Sequence, residues 1–441
     1  MFRFRIRNLA IFGLVLSGCL LVPHFQDASE SEDQRLAKLG AEIRTELEEY
    51  LDVRFRDLPK LERIASEHRC DEVESASRSG WVAASAVDPT GTNDRLWRAA
   101  GLLKPSDTVS TQRNRLDCFA SRSLYQVNAK RILVLMDSLH RDERRVLTHE
   151  MVHALQDQQG DLRAMLARPV EPDERIAVLA AVEGTAEYVS GKLAELGKTS
   201  SGCGGSLSGA LWELDKALGK IPHLANAPPS VSIPAYVPYV FGERLACRMV
   251  ERHGKAGLDS LLARPPSGTW QLWHLDDYMH DIRPTDWDTA WAFLPALPKG
   301  WTPLGQARAG EARLAALPLV WNRKVAKKLL LGRGLSWRGD RLWVASSDDG
   351  ARSAILWRLA FTDQGKAMDF ARGWWALRET RLGRKLPAWK KRAKSASWTD
   401  STRVAYLVRV EGTEVGIGEG FDSLATHRLL ARTMVRPRRG S

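Results

Sequence analysis

The sequence predicts an α+β chain, with a mainly helical N-terminal part that holds a short sheet and a smaller α+β part built on an antiparallel sheet. Three observations predict it. Residues 141–158 and 173–196 run without Pro and repeat apolar residues at helical spacing. Residues 301–441 read as a twofold pattern, two short strands followed by a helix, twice over. The composition also changes near residue 300: residues 301–441 carry 28 Lys and Arg against 12 Asp and Glu and 9 of the 16 Trp, whereas the first 300 carry 37 against 41. The basic excess therefore belongs to the C-terminal part alone.

Taken in order, Arg3, Arg5 and Arg7 precede an apolar run from Leu9 to Leu16, a positive region followed by a stretch too short to span a bilayer. Residues 1–18 are expected to be an export leader. The run ends in Leu16-Ser17-Gly18-Cys19, which resembles the bacterial lipobox. That resemblance implies cleavage before Cys19 and acylation of Cys19. Leu20, not Asp, follows, which favours the outer membrane in a diderm cell. Residues 19–34 are expected to be a polar tether. Residues 36–68 read as two charged helices broken at Pro59, and 131–136 as a strand, in a region where an edge strand could hold an extended peptide by β-augmentation. Residues 200–209 are Gly/Ser-rich. Residues 227–239 hold four Pro and read as an extended loop.

In the C-terminal part, 341–346 and 354–361 read as strands, 364–380 as a helix, 403–410 and 414–417 as a hairpin around Gly412, and 423–435 as a helix. Trp337, Trp343, Trp357 and Trp374 are expected in the core. The run 385–394 is basic with Trp389 inside it. It would suit an anionic envelope surface; nucleic acid is not expected. Four cysteines remain after Cys19, namely Cys70, Cys118, Cys203 and Cys247. In an exported chain an even number suggests two disulfides, with the pairing open.

The chemistry concentrates in His149-Glu150-Met151-Val152-His153. On a helix, two His at i and i+4 lie one turn apart on one face, and can share a zinc ion. The Glu between them can act as the base that takes a proton from water. Asp142 and Glu143 stand near the start of this predicted helix and Gly160 just past its end. Asp157, one turn beyond His153, could orient an imidazole. A third ligand is required. Glu183 interrupts the apolar stripe of the second helix, where a carboxylate needs a partner. A zinc ion or an Arg would supply one. Glu187, one turn on, is the rival ligand or an orienting group. Gly184 and Ala186 are small, so this helix could approach the first closely.

The run His149-Glu150-Met151-Val152-His153-Ala154-Leu155-Gln156-Asp157, with Val182-Glu183-Gly184-Thr185-Ala186 about thirty residues on, resembles bacterial and archaeal gluzincin-type metallopeptidases that are often exported or lipid-anchored. Thr185 stands where that family usually has an acidic residue. Pro265-Pro266, with Thr269 to His274 after it, resembles a later segment of the family. The resemblance covers roughly residues 120 to 300. It implies a zincin-like domain over 35–300, while the change in composition sets off 301–441 as a basic Trp-rich domain. His149, His153 and Glu183 would bind Zn2+, Glu150 would be the base, and the substrate would be a peptide or protein. His274 and, second, Tyr239 are the candidates for stabilising the oxyanion. The rival reading is an envelope lipoprotein scaffold whose zinc site serves folding, in which Glu187 or Asp157 would close the metal shell.

Overall fold

The computed structural model describes residues 31–78, 92–106, 108–109, 118, 122–135, 143–169, 171–194, 203, 228–272, 274–285, 287, 297–321, 324, 336–390 and 392–434. The expected leader, Cys19, most of the tether and the Gly/Ser-rich stretch apart from Cys203 lie outside these residues. The end of the expected tether is the start of α1 (Glu32–Leu51). Ser31 and Gln34 form a reciprocal capping box, each side chain accepting from the other's backbone N–H.

After Pro59 the chain forms not a second helix but strand β1 (Lys60–Arg63), then a 3-10 turn and α2 (Arg69–Arg78). α3 (Thr92–Ala100), β2 (Ser123–Gln126) and β3 (Arg131–Val134) follow. The sheet order is β1-β3-β2, with β1 parallel and β2 antiparallel to β3. The apolar run read at 131–136 is thus the central strand. The edge that packs on the next helix, α4 (Glu143–Gln159), is β2.

α5 (Leu162–Ala167), α6 (Pro172–Ala194) and α7 (Pro229–His253) complete the helical layer, with α8 (Ala256–Ala263) and α9 (Leu275–Met279) after them. α7 overturns the extended loop expected at 227–239. Pro228 and Pro229 sit at the cap and first helical position, where a missing N–H costs little. Pro234 and Pro238 are internal and four apart, so the N–H that Pro238 lacks would have met the carbonyl of Pro234. The helix survives because Ile233, Val237, Phe241 and Leu245 are all buried. Their burial outweighs a proline cost of about 3 kcal/mol.

α6 and α7 touch backbone to backbone. A Cβ on Gly184 would lie 2.0 Å from the carbonyl carbon of Gly242, and one on Gly242 would lie 2.2 Å from the carbonyl oxygen of Ala180. The small residue at 184 therefore serves contact with α7 rather than with α4, as the sequence had suggested.

The C-terminal part adds β4 (Trp301–Ala307), α10 (Gly310–Trp321), β5 (Trp337–Ser347), β6 (Ser353–Phe361), α11 (Gln364–Leu382), β7 (Ser395–Thr399), β8 (Ala405–Glu411), β9 (Glu414–Glu419) and α12 (Ser423–Met434). The strands form one antiparallel six-stranded sheet in the order β4-β5-β6-β9-β8-β7. Each strand and helix expected there is present with shifted bounds, and the hairpin turns at Gly412 with φ +59°. β4, α10 and β7 are additional. One face of the sheet packs under α12 through Trp343, Leu356, Leu429 and Leu430. The other face joins a core that runs from Leu36 through Met151, Phe241 and Leu314 to Trp357 and Ile417. That core crosses the expected boundary at residue 300 without a break. Trp337, Trp343, Trp357 and Trp374 are all buried in it or beneath α12.

The cysteines pair as Cys70–Cys118 and Cys203–Cys247. Two such bridges suit an oxidising compartment outside the cytoplasm. Among the described residues no helix is long and apolar enough to cross a membrane.

Candidate metal centre

α4 and α6 lie against each other and bring three donor atoms together. His149 Nε2 is 3.0 Å from His153 Nε2 and 3.2 Å from Glu183 Oε2, and His153 Nε2 is 3.3 Å from the same oxygen. The ligand edges of a tetrahedral zinc site with bonds near 2.0 Å are about 3.3 Å long. The residues therefore fit a zinc ion in both donor chemistry and spacing. His153 is buried, and His149 keeps 12% of its side chain exposed, so the site has a wet side.

The unused ring nitrogens are held as well. His153 Nδ1 lies 2.8 Å from Gln156 Oε1, and Gln156 Nε2 donates to the carbonyl of Val182, the residue before Glu183. With Gln156 so turned, His153 Nδ1 carries the proton and Nε2 presents its lone pair. His149 Nδ1 is 3.4 Å from Glu187 Oε1, and Glu187 is paired with Arg145 at 2.8 Å. Glu187 thus orients an imidazole from behind. Asp157 does not take the place expected for it. Its carboxylate accepts from Tyr125 Oη at 2.7 Å and from Lys130, because its side chain projects towards β2 rather than back along α4.

Charge accumulates here. Burial alone would push the His149 imidazole down, but Glu183, Glu187 and Glu150 outweigh it and raise its pKa to about 9. Burial would likewise raise Glu183. The two imidazoles outweigh that and hold its carboxyl well below the usual carboxylate range. Near neutral pH the group is thus a protonated His149 beside a carboxylate that stays ionised, a site that favours positive charge, and a dication bound there would displace the His149 proton.

Glu150 is buried beside the triad, and the edge strand holds it. Its Oε1 accepts from Ser123 Oγ at 2.9 Å and its Oε2 from the backbone N–H of Tyr125 at 2.7 Å. Tyr239, on α7, stacks its ring 6.2 Å from that of His149 with planes 21° apart. His274 is not brought to the site. It stands beside Trp270 and 3.7 Å from Glu311. The preceding turn bonds through Thr269 to Asp173 at the start of α6. Ten helical residues, about 15 Å, separate that end from Glu183.

Sequence reasoning missed Gln156, Ser123 and Tyr125. Gln156 was within reach, since it lies three residues after His153 on one helix. Ser123 and Tyr125 were not, because a four-residue strand has no readable period. Cys203, Cys247 and Glu251 also cluster, but disulfide sulfurs are not thiolates and leave no metal site there.

A family profile described as a domain of unknown function (DUF8575) matches residues 306–429, the span from the end of β4 into α12. No curated protein and no solved structure matches the chain.

Proposed function

We propose that the chain is a zinc metallopeptidase of gluzincin type with a zincin-like arrangement, acting outside the cytoplasm and anchored through an acylated Cys19. The observation that carries the reading is the convergence of His149 Nε2, His153 Nε2 and Glu183 Oε2 within 3.3 Å of one another, with Glu150 beside them. When bound, zinc would supply Lewis acidity at the substrate carbonyl and lower the pKa of water. Glu150 is the proton acceptor, and its carboxylate can return the proton to the leaving amine. Ser123 and the Tyr125 N–H fix where that carboxylate stands. Tyr239, whose ring stacks on that of His149, is the donor for the oxyanion. His274, at the far end of α6, is dropped from that role.

The scaffold reading needs a fourth protein ligand. Glu187 is engaged by Arg145 and the far side of His149, and Asp157 by Tyr125 and Lys130. Neither stands as that ligand, which favours a catalytic site. The basic run at 385–394 is proposed as an electrostatic contact with an anionic envelope surface, without Trp389 as a platform, since its indole is tied to Ala393 and packs on Trp375.

Metal analysis of the purified full chain tests the reading. About one zinc per chain is expected. His149→Ala should lose it, and Glu150→Gln should keep it while losing proteolysis of a denatured protein substrate. Wild-type protein that binds no zinc would sink the proposal. Metal binding with full activity in Glu150→Gln would remove Glu150 as base.

A further inference from the structure

The two ends of the C-terminal sheet are finished differently. At one end β4 carries Pro303 and a break in register between Pro303 and Gly305. Both are devices that keep a sheet edge from pairing further. At the other end β7 has neither. It pairs in unbroken register with β8, from Ser395 opposite Arg409 to Thr399 opposite Ala405, and contains no Pro, Gly or charged residue.

The ladder fixes where the backbone groups of β7 point. Val410 donates its N–H to the Lys394 carbonyl at 2.7 Å, and Asp400 donates to the Val404 carbonyl at 2.9 Å. Bonding alternates along an antiparallel pair, so Ala396 and Trp398 turn their N–H and C=O towards β8, whereas Ser395, Ser397 and Thr399 turn theirs away. These last three residues are exposed, and among the described residues nothing bonds their backbone groups. Trp398 braces the strand by stacking on Tyr406 at 5.4 Å, with the Arg384 guanidinium 5.5 Å over its ring.

Positive charge surrounds this edge. Residues 384–411 hold eight Lys and Arg against two acidic residues, Asp400 and Glu411. The Asp400 carboxylate is occupied by Thr402 and the Val404 N–H, and Glu411 pairs with Arg409. Lys390, Arg392 and Lys394, just before the strand, and Arg403, just after it, are exposed.

We propose that the outer edge of β7 docks an extended acidic segment of another polypeptide, which adds to the sheet as one more strand. The backbone of Ser395, Ser397 and Thr399 supplies the pairing, and the cations at both ends select the charge. A second copy of β7 is a poor occupant, because it would bring two basic stretches together. An anionic bilayer satisfies the cations but offers no strand to pair. The inference goes beyond the envelope contact of the basic run and rests neither on it nor on the metal centre.

The test is fluorescence anisotropy of the full chain with the labelled peptide Glu-Glu-Thr-Val-Thr-Val-Thr-Glu-Glu. The comparison peptides carry Lys for Glu, or the original sequence with its central amides N-methylated. The acidic peptide should bind and the Lys peptide should not. The N-methylated peptide keeps its charge and should bind about ten-fold or more weakly, because its strand bonds are gone. Ser397→Pro removes an outward N–H and no ladder bond, so the sheet should survive and affinity should fall about 2–10-fold. Arg392→Glu combined with Lys394→Glu should weaken binding by a similar factor and flatten its salt dependence. Vesicles of phosphatidylglycerol report the envelope contact separately: they should respond to the charge variant and not to Ser397→Pro. If Ser397→Pro does not fold, the N-methylated peptide on wild-type protein decides. The proposal is overturned if the acidic peptide does not bind up to millimolar concentration, if the N-methylated or the Lys peptide binds as tightly, or if folded Ser397→Pro binds like wild type.

Discussion

Replacing Gln156 by Leu tests how the second imidazole is held. Gln156 is buried, accepts from His153 Nδ1 across 2.8 Å and donates to the Val182 carbonyl across 3.0 Å. It therefore fixes the ring's tautomer and ties α4 to α6 beside Glu183. Losing an orienting partner of this kind weakens metal binding by about 10–100-fold, or about 1.4–2.8 kcal/mol. The Leu variant also removes the Gln156 bond to the Val182 carbonyl, an oxygen that still accepts within α6, at a cost of about 0.5–1.5 kcal/mol of stability. Gln156→Glu separates the two effects, since a carboxylate still accepts from His153 but cannot donate to Val182. Chelator competition should show zinc affinity in the order wild type, Glu, Leu. Melting of the metal-stripped proteins should show both variants destabilised. A folded Gln156→Leu protein with the zinc affinity of wild type would refute the reasoning.

Gly184→Ala should lower the urea midpoint by the equivalent of about 1–3 kcal/mol or more, because the added carbon meets the Gly242 backbone. The pH dependence of stability should contain an Asp173 component. Burial is the main cause that raises its carboxyl to about 7, so the stability is fully present below the ordinary value near 3.8 and is lost as pH rises through about 7. Urea titrations from pH 4 to 7 should therefore show a steeper fall for wild type than for Asp173→Asn. A chain ending at residue 300 lacks Leu314 and its neighbours in the shared core, and should melt without a cooperative transition in circular dichroism. A sharp transition would mean that the first part closes a core of its own.

The long periodic elements were legible. The helices around His149 and Glu183 lie within two residues of their expected bounds, because an uninterrupted 3.6-residue period is a strong local signal. The C-terminal strands β5 and β6 were legible as apolar runs of strand length; both are buried on both faces, so no period of two marks them. What escaped depends on contacts made at a distance. β1 is helix-compatible in isolation and becomes a strand only by pairing with β3. α7 carries two internal prolines that argue against a helix, and it exists because one face is buried against α6. The two His were named from their i, i+4 spacing, and Glu183 from its place in an apolar stripe and from the family resemblance. The strand that grips Glu150 was not, since sequence distance says nothing of which edge a helix will lie on. His274 failed because the loop after α8 runs to the opposite end of α6.

α6 is 23 residues long, about 34 Å of one rod. Near one end Asp173 is clamped by Thr269 and pressed against Gly310. At its middle Glu183 faces the two imidazoles, and Gly184 bears on Gly242 as a fulcrum. A lever pinned in this way can do little but tilt. Glu183 lies one residue from that fulcrum, so a tilt driven at the Asp173 end would move it by only about a tenth as much, and in the same sense. The pivot would then hold the bite of the metal centre steady against strain that enters from the C-terminal part.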